Sequence, residues 1–344
     1  MTRRGNSAAC SLSFALMLGL QLGAQAAPIA YVSSQDDGIA VIDVDRLAVA
    51  RTIGPGGKGP RGIAVTNDGR FLLAANKLTG DLSVVDTTSG AVERRIPIGT
   101  NPEFIRIFGD LAYVTYEPGE TVEQKAGAGA EAQAPAEVAV IDLQRWSVVR
   151  SIPSGHETEG IEFSRDGKYM VVTNEGDNTV SVYDRHSMEL VKTLKTDSYG
   201  NRPRGIKAFP GGQGYAVTLE FSDRFLVLDD EFNIVKSVAT KKGPYGVGFD
   251  PEGQRLYIAA SKSEVLEAFD AKTYEKVGEI PVGKRCWHFT FTPDGSKILV
   301  ACGRSNALYV VDPRGGKTLA VIGGLKNAWG VVTYPKAPGS LDTP

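Results

Sequence analysis

Seven residues recur at one place in a repeated phrase, and they carry most of the chemistry this chain offers. The phrase opens Pro-x-Gly-apolar or a close variant, and x is in turn Arg61, Glu103, Glu159, Arg204, Tyr245, Trp287 and Trp329. Two guanidinium groups, two carboxylates and three aromatic rings suit a flat, polar, anionic molecule. Rings stack on its faces, and arginine forks onto its carboxylate or carbonyl oxygens. A plainer reading stands beside this one: Arg and Glu pair across a channel that must be lined by something. The loops Asn76-Lys77, Asn174-Glu175-Gly176-Asp177-Asn178, Glu220-Phe221-Ser222-Asp223 and Arg304-Ser305-Asn306 fall at the same end of their repeats. Asn174 and Glu175 are additional candidate contacts, although turn chemistry accounts for most residues of these types in such loops.

Catalytic chemistry has thinner support. The histidines are His156, His186 and His288. His186 follows a strand-ending Asp and belongs to an outer turn. His156 and His288 fall near the same end as the seven residues and are further candidate contacts. With Glu157, Glu159, Cys286 and Cys302 they include metal-ligand types, but at no recognised ligand spacing, so no metal is assigned. No G-x-S-x-G nucleophile elbow is present. Glu103 and Glu159 could do acid–base work, yet salt-bridge partners of Arg61 and Arg204 describe them better. No catalytic residue is assigned. Cys286 and Cys302 flank the turn at Asp294-Gly295 on adjacent strands. They either meet as a disulfide or, one residue out of register, face opposite sides.

The elements that position these residues are repeats. The clearest copies are PRGIAVTNDGRFLLAANKLTGDLSVVD from Pro60 and TEGIEFSRDGKYMVVTNEGDNTVSVYD from Thr158. Each holds a first strand, a D-G turn, a second strand, and a third strand ending in Asp. Those aspartates are Asp43, Asp86, Asp142, Asp184, Asp229, Asp270 and Asp312, at intervals of 41 to 56 residues. Four short strands per period of about 40–45 residues mark a propeller blade. The expected fold is all-β: a seven-bladed β-propeller of four-stranded antiparallel blades. Three strands at the N-terminus and an orphan strand at Ala328–Tyr334 complete one blade between them and close the ring. The long interval reflects an Ala/Gly/Glu/Gln-rich insertion, 118–136, read as a mobile loop beside the channel mouth.

Residues 1–26 read as a cleaved signal peptide: Arg3-Arg4, an apolar stretch over Ser11–Ala24, and Ala24-Gln25-Ala26 before the cut. The propeller is expected over 27–335 and an irregular tail over 336–344. No membrane span is expected. Formal net charge is -2, from 38 basic and 40 acidic residues, which argues against a nucleic-acid partner.

The phrases Ala112-Tyr113-Val114-Thr115, Met170-Val171-Val172-Thr173-Asn174 and Leu256-Tyr257-Ile258-Ala259 resemble the YVTN-type repeat of the YncE-like propeller family, WD40-like in architecture. Longer segments resemble a bacterial subgroup associated with PQQ-dependent alcohol catabolism. They are Gly160-Ile161-Glu162-Phe163 with Val172-Thr173-Asn174-Glu175-Gly176-Asp177, Gly200-Asn201-Arg202-Pro203-Arg204-Gly205-Ile206-Lys207, Gly283-Lys284-Arg285-Cys286-Trp287-His288 and Trp329-Gly330-Val331-Val332. That resemblance implies a pathway neighbourhood, with PQQ or another quinone as a cofactor candidate, and no shared catalytic motif. Lactonases and a nitrite reductase's haem domain have similar propellers, so fold alone does not fix function.

The expectation is a monomeric periplasmic binding or scaffold protein, accessory to PQQ-dependent alcohol oxidation. It binds a small anionic or aromatic ligand, or a partner such as a periplasmic dehydrogenase, cytochrome or transporter component, at the channel mouth. The alternative is a hydrolase of lactonase type or a metal-dependent propeller enzyme.

Overall fold

A computed structural model of the chain describes Met1 and residues 28–119, 134–212 and 214–341. The signal-peptide expectation and most of the insertion lie outside the described residues. Seven four-stranded antiparallel sheets form a seven-bladed propeller. Among the described residues there is one short helix, Gly303–Ser305, and no helix long and apolar enough to cross a membrane.

Closure follows the expected route. Ile29–Ser34 lies between Gly38–Asp43 and the C-terminal strand Ala328–Tyr334, with Ile29 opposite Tyr334 and Val32 opposite Val331. Blade 1 therefore joins both ends of the propeller. Blades 2 to 7 follow in chain order.

The strand-ending aspartates recur for a local reason. Each turns its carboxylate back onto the amides of the following turn. Asp43 accepts from the Arg46 amide at 2.8 Å, and Asp142 from Arg145 at 2.8 Å. Asp270 accepts from Thr273 at 2.8 Å and Asp312 from Gly315 at 2.8 Å. This Asx geometry fastens the hairpin to the outermost strand. The amide donors hold the Asp142 and Asp270 carboxyls below their ordinary range.

The Pro-x-Gly phrase has a second local reason. In blades 2, 4, 5 and 6 the pairing of first and second strands skips a residue at x-Gly, between Pro60 and Ile63 in blade 2 and between Thr158 and Ile161 in blade 4. This bulge tilts the strand inward. A Cβ on Gly62 would lie 2.3 Å from the Glu103 carbonyl oxygen, and one on Gly205 would lie 2.3 Å from that of Tyr245. Only glycine lets neighbouring inner strands come this close. Thr173 and Thr218, from the second strands, then hydrogen-bond the Arg204 and Tyr245 carbonyls at 2.6 and 2.7 Å. The threonine of the Val-Thr-Asn phrase is thus an inter-blade clasp.

The tail is irregular, and it is also a plug. After Tyr334 the chain turns into the channel from the face opposite the x residues. Ala337, Ser340 and Leu341 are buried there. Phe291 donates to the Pro338 carbonyl at 2.8 Å, and Ser340 to that of Phe289 at 2.9 Å. Residues 342–344 lie outside the described part.

Candidate functional site

The seven x residues form a ring at the top of the channel, as their shared place in the repeat requires. Glu103 stands just before its strand, Ile105–Phe108, rather than inside it. Beneath the ring lies a layer that is glycine in blades 1, 2, 4, 5 and 6. Blades 3 and 7 put Phe104 and His288 there instead, and these two rings meet with centroids 5.7 Å apart. They close the channel under the mouth.

The aromatic half of the ring turns inward. Tyr245 and Trp329 are each 1% exposed and Trp287 8%. Trp329 packs on His288 at 4.3 Å and Tyr245 on His288 at 5.3 Å between centroids. These rings are channel core, not an open stacking platform, which corrects the expectation that their faces meet a ligand.

The charged half holds one separate pair and one larger network. Arg61 pairs with Glu103. Arg204 contacts Glu159 at 3.4 Å, Glu220 at 3.1 Å, and Glu175, while Tyr245 donates to Glu159 at 2.8 Å. Arg202 reaches Glu157 at 2.8 Å and also Glu175, and Arg285 reaches Glu220 at 3.2 Å. Burial works to raise the Glu159 carboxyl, but the Arg204 and Arg61 guanidiniums together outweigh it and hold it below the ordinary carboxylate range. For Glu175 burial prevails over Arg204 and, with Glu159 adding to the rise, pushes its pKa up to about 8. Two carboxyl groups around one guanidinium are therefore shifted in opposite directions.

Lys77, on the blade 2 loop, is the exception in this network. It has no ion-pair partner among the described residues. Burial, with Arg61 beside it, lowers its pKa to about 8. A half-buried cation of this kind is a ready counter-ion for an anion.

The remaining candidates separate. Asn174 is spent inside its blade: its amide nitrogen donates to Thr179 and Ser181 at 2.9 Å each, and its carbonyl oxygen accepts from Thr158 at 2.7 Å. His156 is exposed at the mouth, its Nδ1 2.8 Å from Asp177. His288 is sealed in the channel, with Nδ1 3.0 Å from the Ser340 hydroxyl and Nε2 unpartnered, and burial lowers its pKa to about 3. Cys286 and Cys302 stand directly opposite each other and form a disulfide. The described residues hold no cluster of three or more metal-ligating side chains.

Several residues that shape the site are not among the candidate contacts, although Glu220 falls in one of the mouth loops read as turn chemistry. Arg202 and Glu220 carry a signal in hindsight: Glu220 occupies the place after the second strand that Glu175 and Lys77 occupy in their blades. Arg106, Glu162 and Lys207 line the lower channel, Arg106 lying 3.2 Å and Lys207 3.7 Å from Glu162. Each is three residues past its x residue. Simple two-residue alternation points Glu162 and Lys207 away from the channel, and the bulge at x-Gly reverses that parity. Arg106 also donates to the Ser340 carbonyl at 3.3 Å and to that of Leu341, locking the tail.

The profile described as the Cytochrome D1 heme domain matches residues 133–286. That span carries Glu157, Glu159, Glu175, Arg202, Arg204, Glu220 and Arg285. The chain is 26% identical over 305 residues to the dihydro-heme d1 dehydrogenase of Pseudomonas aeruginosa, covering 74% of this chain. It spans 61% of that relative's length. A solved structure of dihydro-heme d1 dehydrogenase NirN in complex with DHE superposes with a TM-score of 0.66 and 15% identity, covering 88% of this chain and 74% of the other. The periplasmic gluconolactonase of Pseudomonas aeruginosa superposes with a TM-score of 0.72 and 18% identity, covering 89% and 99%. At these identities the two superpositions establish a shared fold.

Proposed function

We propose that this protein is a binding propeller of the periplasm, without catalysis of its own, that holds a planar polycarboxylate on the channel mouth. Two molecules share that chemistry: a tetrapyrrole of the heme d1 kind and the tricarboxylate quinone PQQ. The observation that carries the reading is the mouth network, in which Lys77 has no ion-pair partner among the described residues and Arg202 and Arg204 converge on the buried Glu175. A ligand carboxylate would meet the Lys77 ammonium and compete with Glu157 and Glu175 for the Arg202 guanidinium. The heme d1 profile spans the blades that bear most of this network, which favours the tetrapyrrole. The link to PQQ-dependent alcohol oxidation rests on the sequence resemblance alone.

The residues fit the carboxylate side of either molecule. For an iron-bearing ring, His156 fits as the imidazole ligand: Asp177 holds Nδ1, as a carboxylate commonly does behind a metal-bound histidine, and Nε2 is left for the metal. His288 does not fit, because Trp329, Tyr245 and Phe104 enclose it. When bound, either group supplies redox chemistry. The chain's own residues neutralise the carboxylates, orient the plane and keep water from the channel below. A lactonase reading draws on the Glu159–Glu175 pair as acid and base, but both carboxyls are buried under arginines, so substrate access favours binding. The Cys286–Cys302 disulfide accords with an oxidising compartment.

Purified protein titrated separately with heme d1 and with PQQ, followed by calorimetry and visible absorption, tests this. One of them should bind, and Lys77→Ala and Arg202→Ala should each weaken it about 10-fold or more, the worth of a charge-assisted contact. His156→Ala should shift the heme spectrum and leave PQQ binding unchanged. Binding of neither molecule, or binding unaffected by Lys77→Ala and Arg202→Ala, refutes the proposal.

A further inference from the structure

The mouth face is electrically divided, although the whole chain is close to neutral. Around blades 5 to 7 its loops carry Lys241, Lys242, Lys262, Lys284, Arg304 and Lys326, all exposed. Glu264 is the one acidic residue on loops 240–243, 261–264, 282–285, 303–306 and 324–327, and the blade 5 loop 220–223 adds Glu220, which is buried, and Asp223, which accepts from the Gly243 amide at 2.9 Å. Lys242, Lys284 and Arg304 have no ion-pair partner among the described residues. The described loops of blades 3 and 4 carry the opposite sign: Glu117, Glu157, Asp177 and Asp197. At the boundary stands Phe221, 60% exposed. Arg202, from the preceding connection, lies 4.9 Å from its ring centroid, and Lys262, from the following blade, lies 4.5 Å away. Behind them Arg202 is tied to Glu157, and Lys262 lies 3.8 Å from the buried Glu220. An exposed aromatic braced by two anchored cations has the composition of an interface centre rather than of ordinary surface.

We infer that this face docks a protein partner through an acidic patch on that partner, seated on the blade 5–7 arc with Phe221 at its edge. The sign division selects the class of partner. A nucleic acid or an anionic bilayer presents one sign everywhere and would be repelled by the blade 3 and 4 loops. A folded protein can present acidic and basic sectors side by side, and such complementarity speeds encounter and fixes orientation. Docking here does not depend on a small ligand at the mouth: the surface borders the mouth network at Arg202 and Glu220, while Lys242, Lys284 and Arg304 lie outside it.

The full-length protein can be tested with a labelled oligoglutamate peptide, short enough to lie on the blade 5–7 arc alone and clear of the blade 3 and 4 loops, by fluorescence anisotropy at low ionic strength. Wild type should bind, and added salt should weaken the complex. The combined variant Lys242→Glu, Lys284→Glu and Arg304→Glu should lose about 30-fold or more in affinity, since it reverses three exposed charges. Phe221→Ala should lose about 3-fold or more, an effect charge alone would not produce. Reversal of Lys168 and Lys297, on turns of the opposite face, should change nothing. Circular dichroism reports whether each variant is folded. Failure of wild type to bind, or an unchanged triple variant, overturns the inference. So does equal binding of phosphatidylglycerol vesicles or a DNA oligonucleotide that the triple variant also abolishes, because the surface would then be a general anion face.

Discussion

Replacing Trp329 with alanine separates a core role from a ligand-stacking role. The side chain is 1% exposed, its ring lies 4.3 Å from that of His288, and the Arg61 guanidinium stands 6.0 Å from it. Truncating a fully buried tryptophan costs about 3–5 kcal/mol through lost transfer energy and the cavity left behind. The Arg61 contact adds about 0.5–1 kcal/mol. Trp329 also sits on the strand that closes the ring, where the sheet has little freedom to collapse into the gap. The expected loss is therefore near the upper end, about 4–5 kcal/mol, a large share of a typical folding stability of about 5–15 kcal/mol. Urea unfolding followed by far-ultraviolet circular dichroism measures it without relying on the deleted fluorophore. Trp329→Phe should cost about 1–2 kcal/mol and leave any mouth ligand bound within about 2-fold, because the ring faces the channel. A loss below about 1.5 kcal/mol for the alanine variant, or a collapse of ligand affinity in a fully stable phenylalanine variant, would show that Trp329 serves the ligand rather than the channel.

Three other outcomes follow from the same geometry. Stability should be flat between about pH 4.5 and 6.5 as far as the buried channel groups are concerned. His288, with a folded pKa of about 3 against an ordinary 6.5, costs stability as pH falls from 6.5 toward 3, because the unfolded imidazole takes the proton first; down to about pH 4.5 the opposite slope of Glu175 cancels this, and below it the loss shows. Above about pH 6.5 Glu175, whose folded pKa is about 8 against an ordinary 4.5, loses stability as its carboxyl ionises. Glu175→Gln should flatten the limb between pH 6.5 and 8, and an unchanged limb in pH-dependent urea titrations would reject that assignment. Ser340→Ala removes the hydroxyl that sits 3.0 Å from His288 Nδ1 and accepts from the Phe289 amide at 3.0 Å. With two buried groups orphaned, about 2–4 kcal/mol should be lost, and a loss under about 0.5 kcal/mol would mean the tail does not plug the channel. Reduction of the Cys286–Cys302 bond, across a sequence separation of 16, should cost about 3 kcal/mol; intact mass before and after reductant, with melting curves, reports both the bond and its worth.

The repeat pattern by itself determined the architecture. Asp at each third-strand end, D-G turns and alternating strands are local devices, and their period sets the blade count and the closure between Ile29–Ser34 and Ala328–Tyr334. It also determined which seven side chains meet, because equal places in equal repeats reach equal heights around an axis. What it left open was which way those side chains face and what they touch. The bulge at x-Gly reverses the alternation, so Glu162 and Lys207 enter the channel where a plain strand would turn them out. Phe104 and His288, standing where other blades have glycine, pull Tyr245 and Trp329 inward. The tail carries no periodic pattern, yet Arg106 and Ser340 fix it across more than two hundred residues of chain. Such contacts join groups distant in sequence, and only packing in three dimensions decides them. For the same reason the mouth's charges could be named from the sequence, while the partnering that leaves Lys77 without a described counter-ion and buries Glu175 against Arg202 and Arg204 belongs to the tertiary structure.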